Sequence, residues 1–215
     1  FFSTDMVYGA PQQLPVATDH PLRPLGPYGA SKLAAEDLCA GYRRRGLAVT
    51  IFRPRLIVGP GRLGVLVKLF TLIERGRPVP LIGDGSNHFQ MISVFDCVSA
   101  IEAALDEDVP NETLNLGSLD PPTVRELLER VIATAGSRSH LVPVPARPVK
   151  AILTALDALG LSPLYPEQFQ IADENYLVDV SRTVTRLGWR PRYDDVDMLA
   201  AAYDEFRRGR RTTGA

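Results

Sequence analysis

Cysteine, tryptophan and histidine are scarce in this sequence of 215 residues. The two cysteines, Cys39 and Cys97, lie far apart, which excludes a disulfide framework and gives no metal-ligand spacing. Such sparse cysteine use suits a reducing compartment. We therefore expect both cysteines to fill the core, no metal ion to be bound, and the protein to be cytoplasmic.

Long apolar runs and an excess of charge of one sign are also missing. No run approaches the ~20 residues that span a bilayer, and no charged-then-apolar leader opens the chain. With 24 basic and 25 acidic side chains, the net charge is −1, so no overall field attracts nucleic acid or anionic lipid. We predict a small-molecule substrate, with neither nucleic acid nor membrane as a partner.

Helical and strand patterns alternate along the chain, and 45% hydrophobic residues are enough to build a core. The opening segment 1–3 is apolar and predicts a strand, and the proline-rich stretch 9–27 predicts a loop. Further strands are predicted at 48–52, 79–82, 91–94, 113–116 and 142–144. Helices are predicted at 28–45, 65–75, 96–105, 123–135, 148–159 and 196–207. This order indicates an α/β fold with a parallel sheet, followed by a smaller α+β lobe that begins near Gly59.

Tyr28 and Lys32 are four residues apart on a predicted helix, so their side chains share one face. A phenol is a poor base at neutral pH, but a nearby ammonium group stabilises the phenolate. The pair alone favours a solvent-facing Tyr and Lys on an ordinary helix, so the surrounding sequence has to decide.

Four separated segments provide that context: FFSTDMVYG (1–9), PYGASKLAAE (27–36), FRPRLIVGPG (52–61) and LIGDGSNHFQMISVFDCVSAI (81–101). Together, and in this order, they resemble the extended short-chain dehydrogenase/reductase superfamily, the NAD-dependent epimerase/dehydratase type. The resemblance covers nearly the whole chain. It implies an NAD(P)-dependent epimerase or oxidoreductase that acts on a secondary alcohol of a nucleotide sugar or a related substrate.

The resemblance also implies roles for individual residues. Tyr28 would be the catalytic acid/base, Lys32 would stabilise its phenolate and hold the cofactor ribose, and Thr4 would bond the reacting oxygen. The backbone at Pro54, Arg55 and Leu56 would lie against the nicotinamide of NAD or NADP.

Several positions depart from the family's nucleotide-sugar pattern. The family's 4,6-dehydratases carry an Asp-Glu acid pair after the Thr, whereas this chain has Asp5 followed by Met6, and Met cannot donate or accept a proton there. Leu56 and Phe89 stand where many members have Asn and Arg contacting the diphosphate. Asp5, Met6, Arg55, Arg62 and His88 are the candidate substrate contacts, with the last three able to replace the lost diphosphate contacts.

Those departures leave open a 3-beta-hydroxysteroid-dehydrogenase-like oxidoreductase on an apolar alcohol. A non-catalytic NAD(P)-sensing relative is the other alternative, and the presence of Thr4, Tyr28 and Lys32 together argues against it. The chain also contains no Gly-x-x-Gly-x-x-Gly turn after a strand, so the pyrophosphate-binding part is absent from it. We expect it to be the C-terminal part of a longer enzyme, inactive alone.

The resemblance implies a partial Rossmann-like, doubly wound parallel sheet. Residues 1–58 would be the C-terminal part of that core with the active-site helix. Residues 59–215 would mainly form the substrate-binding lobe, with about 88–116 returning to the core. Many members of the superfamily pair their active-site helices, so a homodimer through the Tyr28 helix is also implied.

Overall fold

The computed structural model describes residues 1–61, 63–64, 66–106, 110–162 and 169–213. The chain forms two compact units, each assembled from three separate stretches. The first unit comprises Phe1–Ile57, Gln90–Leu119 and Tyr176–Arg192, and the second comprises Val58–Phe89, Asp120–Asn175 and Tyr193–Ala215.

Helices and short strands alternate along the described chain. In order they are a 3-10 helix (Asp5–Val7), α1 (Pro27–Arg44), β1 (Ile51–Pro54), β2 (Leu56–Val58), α2 (Leu66–Glu74), β3 (Val79–Ile82), β4 (Met91–Ser93), α3 (Val94–Asp106), β5 (Thr113–Leu116), α4 (Val124–Thr134), β6 (Leu141–Val144), α5 (Ala146–Ala158), α6 (Ser181–Leu187) and α7 (Asp195–Thr213). This content confirms the α/β prediction.

Parallel strands organise the first unit. Strands β1 and β5 pair in parallel, with Ile51 opposite Thr113 and Pro54 opposite Leu116. The opening segment lies on the other side of β1, where Phe2 forms a parallel bridge to Phe52. The central strand β1 is buried along its whole length, as strands of parallel sheets usually are. The carboxyl ends of all three segments therefore lie at the same edge.

One apolar cluster forms the core of the first unit. Trp189, the single tryptophan, is 5% exposed, and its indole N–H donates to the Ser99 hydroxyl at 2.8 Å. It therefore packs in the core, with its polar end satisfied. Its buried neighbours in the cluster come from β1, β4, β5, α3 and α6: Phe52, Ile92, Cys97, Ala100, Ala104, Leu114, Leu116 and Leu187.

The second unit contains the parallel pair β3 and β6 and the helices α2, α4, α5 and α7. Phe70 of α2 packs edge-on against Tyr203 of α7, with ring centroids 5.4 Å apart. Helix α4 begins with a capping box, in which the Thr123 hydroxyl accepts the Glu126 backbone N–H and the Glu126 carboxylate accepts the Thr123 backbone N–H. Aromatic packing and a capped helix therefore stabilise the second unit.

Several element boundaries differ from the predicted ones for local reasons. Strand β1 begins at Ile51 and not at Ala48, because the Asn111 and Arg43 side chains bind the backbone N–H and C=O of Val49. Helix α3 begins at Val94, where the Ser93 hydroxyl accepts the N–H of Phe95. The seven-residue helix α6 was not predicted, since it is too short to show a clear helical period.

Candidate active site

The site is built at the carboxyl edge of the parallel segments in the first unit. Thr4 follows the Phe2 bridge by two residues, and Pro54 ends β1 at the same level. Ligands of open α/β sheets bind in the crevice beyond the carboxyl ends of their strands. The fold therefore brings two of the predicted site residues, Thr4 and Pro54, to the carboxyl edge of these parallel segments, and their contact with a ligand stays a prediction.

A tight turn fixes Thr4, Asp5 and Met6. Thr4 is the N-cap of the 3-10 helix, and its Oγ1 accepts the Met6 N–H at 3.3 Å. The same hydroxyl donates to Oδ1 of Asp5 at 3.2 Å. Thr4 and Asp5 are 6% and 2% exposed. Two hydrogen bonds therefore orient a nearly buried threonine hydroxyl.

Tyr28 and Lys32 lie one turn apart on α1, as predicted. The Tyr28 side chain is 50% exposed, so its phenol is open to a ligand. The Lys32 ammonium donates to the Phe2 carbonyl at 3.0 Å and lies 5.3 Å from the Phe1 ring centroid. An ammonium has three donors, so this bond leaves two N–H groups for other partners. Lys32 thus ties the helix to the segment that leads into Thr4.

Gly29 sets how closely α1 approaches that turn. A Cβ at position 29 would lie 2.6 Å from the Met6 carbonyl oxygen and 2.9 Å from Cβ of Pro24. The contact is therefore possible only without a side chain, although glycine is unfavourable inside a helix. Gly29 was not predicted from the sequence. A glycine directly after the candidate acid/base Tyr28, inside a helical pattern, was the signal that could have indicated a close contact there.

We expect Gly29→Ala to destabilise the chain by about 1–3 kcal/mol, because the new methyl group must displace backbone. Gly41→Ala is the matched control on the same helix, since its new Cβ would meet only the Arg44 side chain, with Nη2 at 3.8 Å. That change should stabilise the helix by up to about 1 kcal/mol. Urea unfolding of both variants measures the difference. Equal stability of the two would contradict the close approach of α1 to Met6.

Asp5 forms a buried ion pair with Arg55, the residue between β1 and β2. The Arg55 guanidinium also lies 4.1 Å from the ring centroid of Tyr176, whose hydroxyl donates to the Asp5 carbonyl at 3.0 Å. Burial first, and then the Asp5 carboxylate, raise the pKa of Tyr176 well above its usual value. Tyr176 therefore stays protonated and remains a hydrogen-bond donor.

A second network of buried hydrogen bonds and one ion pair joins α1 to the strands of the first unit. Arg53 of β1 forms a forked contact with the Glu36 carboxylate of α1, with Nε 2.9 Å from Oε1 and Nη2 2.5 Å from Oε2. Arg53 also donates to the Tyr8 hydroxyl at 3.0 Å, and Tyr8 donates to Asn115 at 2.6 Å. Burial is the largest cause that raises the pKa of Tyr8, so it too is a donor. The network fixes α1 to β1 and β5.

Four predicted site residues remain to be placed: Pro54, Leu56, His88 and Arg62. Leu56 is half-buried at the start of β2, and Pro54 is buried at the end of β1. His88 belongs to the second unit, where its backbone N–H bonds Asn175 and its ring lies 2.8 Å from the Pro121 carbonyl oxygen. Arg62 lies outside the described residues. Contacts of these residues with substrate or cofactor stay predictions.

Two absences hold for the residues that the structure describes. Among them, no group of three or more His, Cys, Asp or Glu side chains could hold a metal ion. Within the same ranges, no helix is long and apolar enough to cross a membrane.

Comparison with known proteins gives related sequences of greater length. The chain is 36% identical to the uncharacterized protein y4nG of Sinorhizobium fredii over 100% of this chain and 54% of that protein. It is 30% identical to the dTDP-glucose 4,6-dehydratase of Streptomyces griseus over 93% of this chain and 55% of that enzyme. The chain thus spans about half the length of these relatives.

Solved structures share the fold. The UDP-glucose 4-epimerase of Thermotoga maritima, solved with UDP-glucose, superposes with a TM-score of 0.75 at 24% identity, over 97% of this chain and 63% of that one. The UDP-glucuronic acid 4-epimerase of Bacillus cereus, solved with NAD, gives 0.74 at 22% identity, over 96% and 60%. The family model of the NAD dependent epimerase/dehydratase family matches residues 1–117. With that match over more than half of its length, the chain belongs to the NAD dependent epimerase/dehydratase family.

Proposed function

We propose that this chain carries the acid/base and substrate-facing residues of an NAD(P)-dependent epimerase or oxidoreductase that acts on a secondary alcohol of a nucleotide sugar. The observation that carries the proposal is the docking of α1 on the Thr4 turn. Lys32 binds the Phe2 carbonyl and Gly29 contacts Met6, so the helix with the exposed Tyr28 is held at the ligand edge of the sheet.

Each residue of the site then has a defined task. Thr4 bonds the oxygen of the reacting alcohol and orients it. Tyr28 takes the hydroxyl proton in oxidation and returns it in reduction, and general acid–base catalysis of this kind contributes about 10²–10⁴ in rate. Lys32 stabilises the phenolate with its positive charge. Bound NAD(P) would supply the hydride acceptor and donor.

The residues present fit the nicotinamide half of such a cofactor. Besides the exposed Tyr28 phenol, Ser3 at the same edge is 4% exposed, and its hydroxyl has no hydrogen-bond partner in the described part of the chain. A buried hydroxyl of this kind gains from a polar ligand group. The chain has no Gly-x-x-Gly-x-x-Gly turn for the pyrophosphate, so we propose that cofactor binding needs further residues of a longer protein.

The substrate class rests on the relatives. The dTDP-glucose 4,6-dehydratase, 30% identical over 93% of this chain, and the UDP-sugar epimerases named above have nucleotide sugars in their names. Leu56 and Phe89 replace polar residues that members of the family use for the diphosphate. An apolar alcohol is therefore the competing substrate class to include in any test.

Calorimetric titration with NAD, NADH, NADP and NADPH tests the proposal. We expect a protein extended upstream of Phe1 through a Gly-rich turn to bind at least one of them, and the 215-residue chain to bind none. The extended protein should then oxidise or epimerise a UDP- or dTDP-hexose in preference to a hydroxysteroid. Absence of binding by both proteins would overturn the assignment, whereas binding of NAD(P) without turnover of any alcohol would favour the non-catalytic NAD(P)-sensing relative.

A further inference from the structure

Helix α3 of the first unit carries apolar side chains on an exposed side as well as on its buried side. Val98, Ile101 and Leu105 are 47%, 38% and 69% exposed. They follow one another at intervals of three and four residues, the spacing of a stripe that packs against a neighbouring element. These three residues form the α3 flank. Covering them would be favourable, because apolar surface would be removed from water.

The α3 flank lies on one particular side of the helix. Successive helical residues are turned by about 100°. The side chains of α3 that pack in the core are Cys97, Ala100 and Ala104, and the flank is turned about 100° away from them. Ser99, whose hydroxyl accepts the Trp189 indole N–H at 2.8 Å, is turned the other way. The α3 flank and the Trp189 segment, which directly follows α6, are therefore on opposite sides of α3.

The sheet beneath shows where the α3 flank faces. The Thr183 hydroxyl of α6 donates to the Asn115 carbonyl of β5 at 2.6 Å, so α6 lies at the β5 end of the sheet. The strands lie in the order β5, β1 and opening segment, and Phe2 of that segment packs against the same core cluster. The α3 flank is thus on the side of the opening segment, where a further strand of this sheet would be added.

The two faces of the sheet carry different helices. Phe52 belongs to the cluster beneath α3, whereas the next residue, Arg53, binds Glu36 of α1. Successive side chains of a strand point to opposite faces, so α1 and α3 cover opposite faces. Helix α1 connects the opening segment to the parallel strand β1, and such crossovers are right-handed. A crossover that adds strands in the opposite direction therefore places its helix on the face of α3.

Dinucleotide-binding sheets are built in both directions from a switch point, and the helix after the Gly-x-x-Gly-x-x-Gly turn belongs to the half that runs opposite to this chain. The chain spans 54% of its 36% identical relative, which leaves room for such a half. We infer that the α3 flank is the docking surface for the helix that follows this turn in the longer protein. The inference rests on the proposed function. It gives α3 the task of supporting the pyrophosphate turn without contacting the cofactor.

A pair of lysine substitutions tests the docking surface. Val98→Lys with Leu105→Lys should change the thermal unfolding midpoint of the 215-residue chain by no more than about 2 °C, because both side chains are exposed there. In the upstream-extended protein the same pair should lower the midpoint by about 5–10 °C, since two charges would enter an apolar contact. Equal effects of the pair in the two proteins overturn the inference.

The matched control is Ile152→Lys with Leu159→Lys. These residues are 60% and 71% exposed, have the same seven-residue spacing, and lie on α5 and at its C-cap in the second unit. The control pair should shift the midpoint equally in the chain and in the extended protein. A drop in the extended protein that matches the drop for the α3 pair would show a general effect of added charge and would also overturn the inference.

Photo-crosslinking identifies what covers the α3 flank. Glu102 is exposed and lies next to Val98 and Leu105 on the helix surface. The extended protein with Glu102→p-benzoylphenylalanine is irradiated, and the linked peptides are identified by mass spectrometry. We expect a link within one molecule to residues directly after the Gly-x-x-Gly-x-x-Gly turn. A link to any other segment, or to a second copy of the chain, overturns the inference. Failure of the unmodified extended protein to bind NAD(P) would instead contradict the proposed function.

Discussion

Tyr28→Phe is expected to lower kcat of the cofactor-competent protein by about 10²–10⁴, the usual contribution of a general acid/base. The change removes a single oxygen from a side chain that is 50% exposed. It therefore leaves packing, the Lys32 bond to Phe2 and the Gly29 contact in place. Cofactor binding and the thermal unfolding midpoint should match those of the wild type.

The matched control is Tyr42→Phe. Tyr42 lies on the same helix and is 51% exposed, so it loses the same atom in a comparable environment. Its kcat should stay at the wild-type value. Stopped-flow measurement of NAD(P)H absorbance separates hydride transfer from binding in both variants. Wild-type turnover in Tyr28→Phe would remove Tyr28 from the chemistry, whatever its position on α1.

Arg53→Met is expected to destabilise the chain by about 3–5 kcal/mol, the range for removing one partner of a buried ion pair. The Glu36 and Arg53 side chains are 6% and 5% exposed, so Glu36 would be left buried without its counter-charge. Arg53 also donates to Tyr8, and loss of that bond weakens the link to β5. Denaturant unfolding monitored by circular dichroism measures the effect.

Two comparisons sharpen this experiment. Arg182→Met breaks an ion pair with Glu112 in which the Arg side chain is 58% exposed, and it should cost no more than about 1 kcal/mol. Adding Glu36→Leu to Arg53→Met removes the stranded carboxylate and should recover much of the lost stability. If the double variant is no more stable than Arg53→Met, the packing of the two side chains, and not their charges, would be the main contribution of the pair to the free energy of unfolding.

The local features of the site could be read from the sequence. The helical pattern at 28–45 predicted α1, and the four-residue spacing put Tyr28 and Lys32 on one face. Pro27 extends the helix by one residue, because its fixed backbone angle suits the first helical position. The order of the four family segments led to the family that the match over residues 1–117 confirms.

The long-range contacts around the site could not be predicted from the sequence. Asp5 and Tyr176 are 171 positions apart, and no periodicity or local motif links such residues. Arg55 looked like a group free to bind a diphosphate, whereas the fold buries its side chain against Asp5. Burial and long-range partners decide what an ionisable side chain can do, and both are properties of the tertiary structure.

Because the two units alternate along the chain, the first unit cannot be completed early in synthesis. The chain passes from one unit to the other five times, and the first unit is complete only when Arg192 has been made. Trp189 of its core and Tyr176 beside Arg55 both belong to that last stretch. A nascent chain that ends at Leu119 therefore leaves part of its core open to water. At about 5–20 residues per second, the remaining 73 residues keep it exposed for several seconds, an interval in which chaperones can bind.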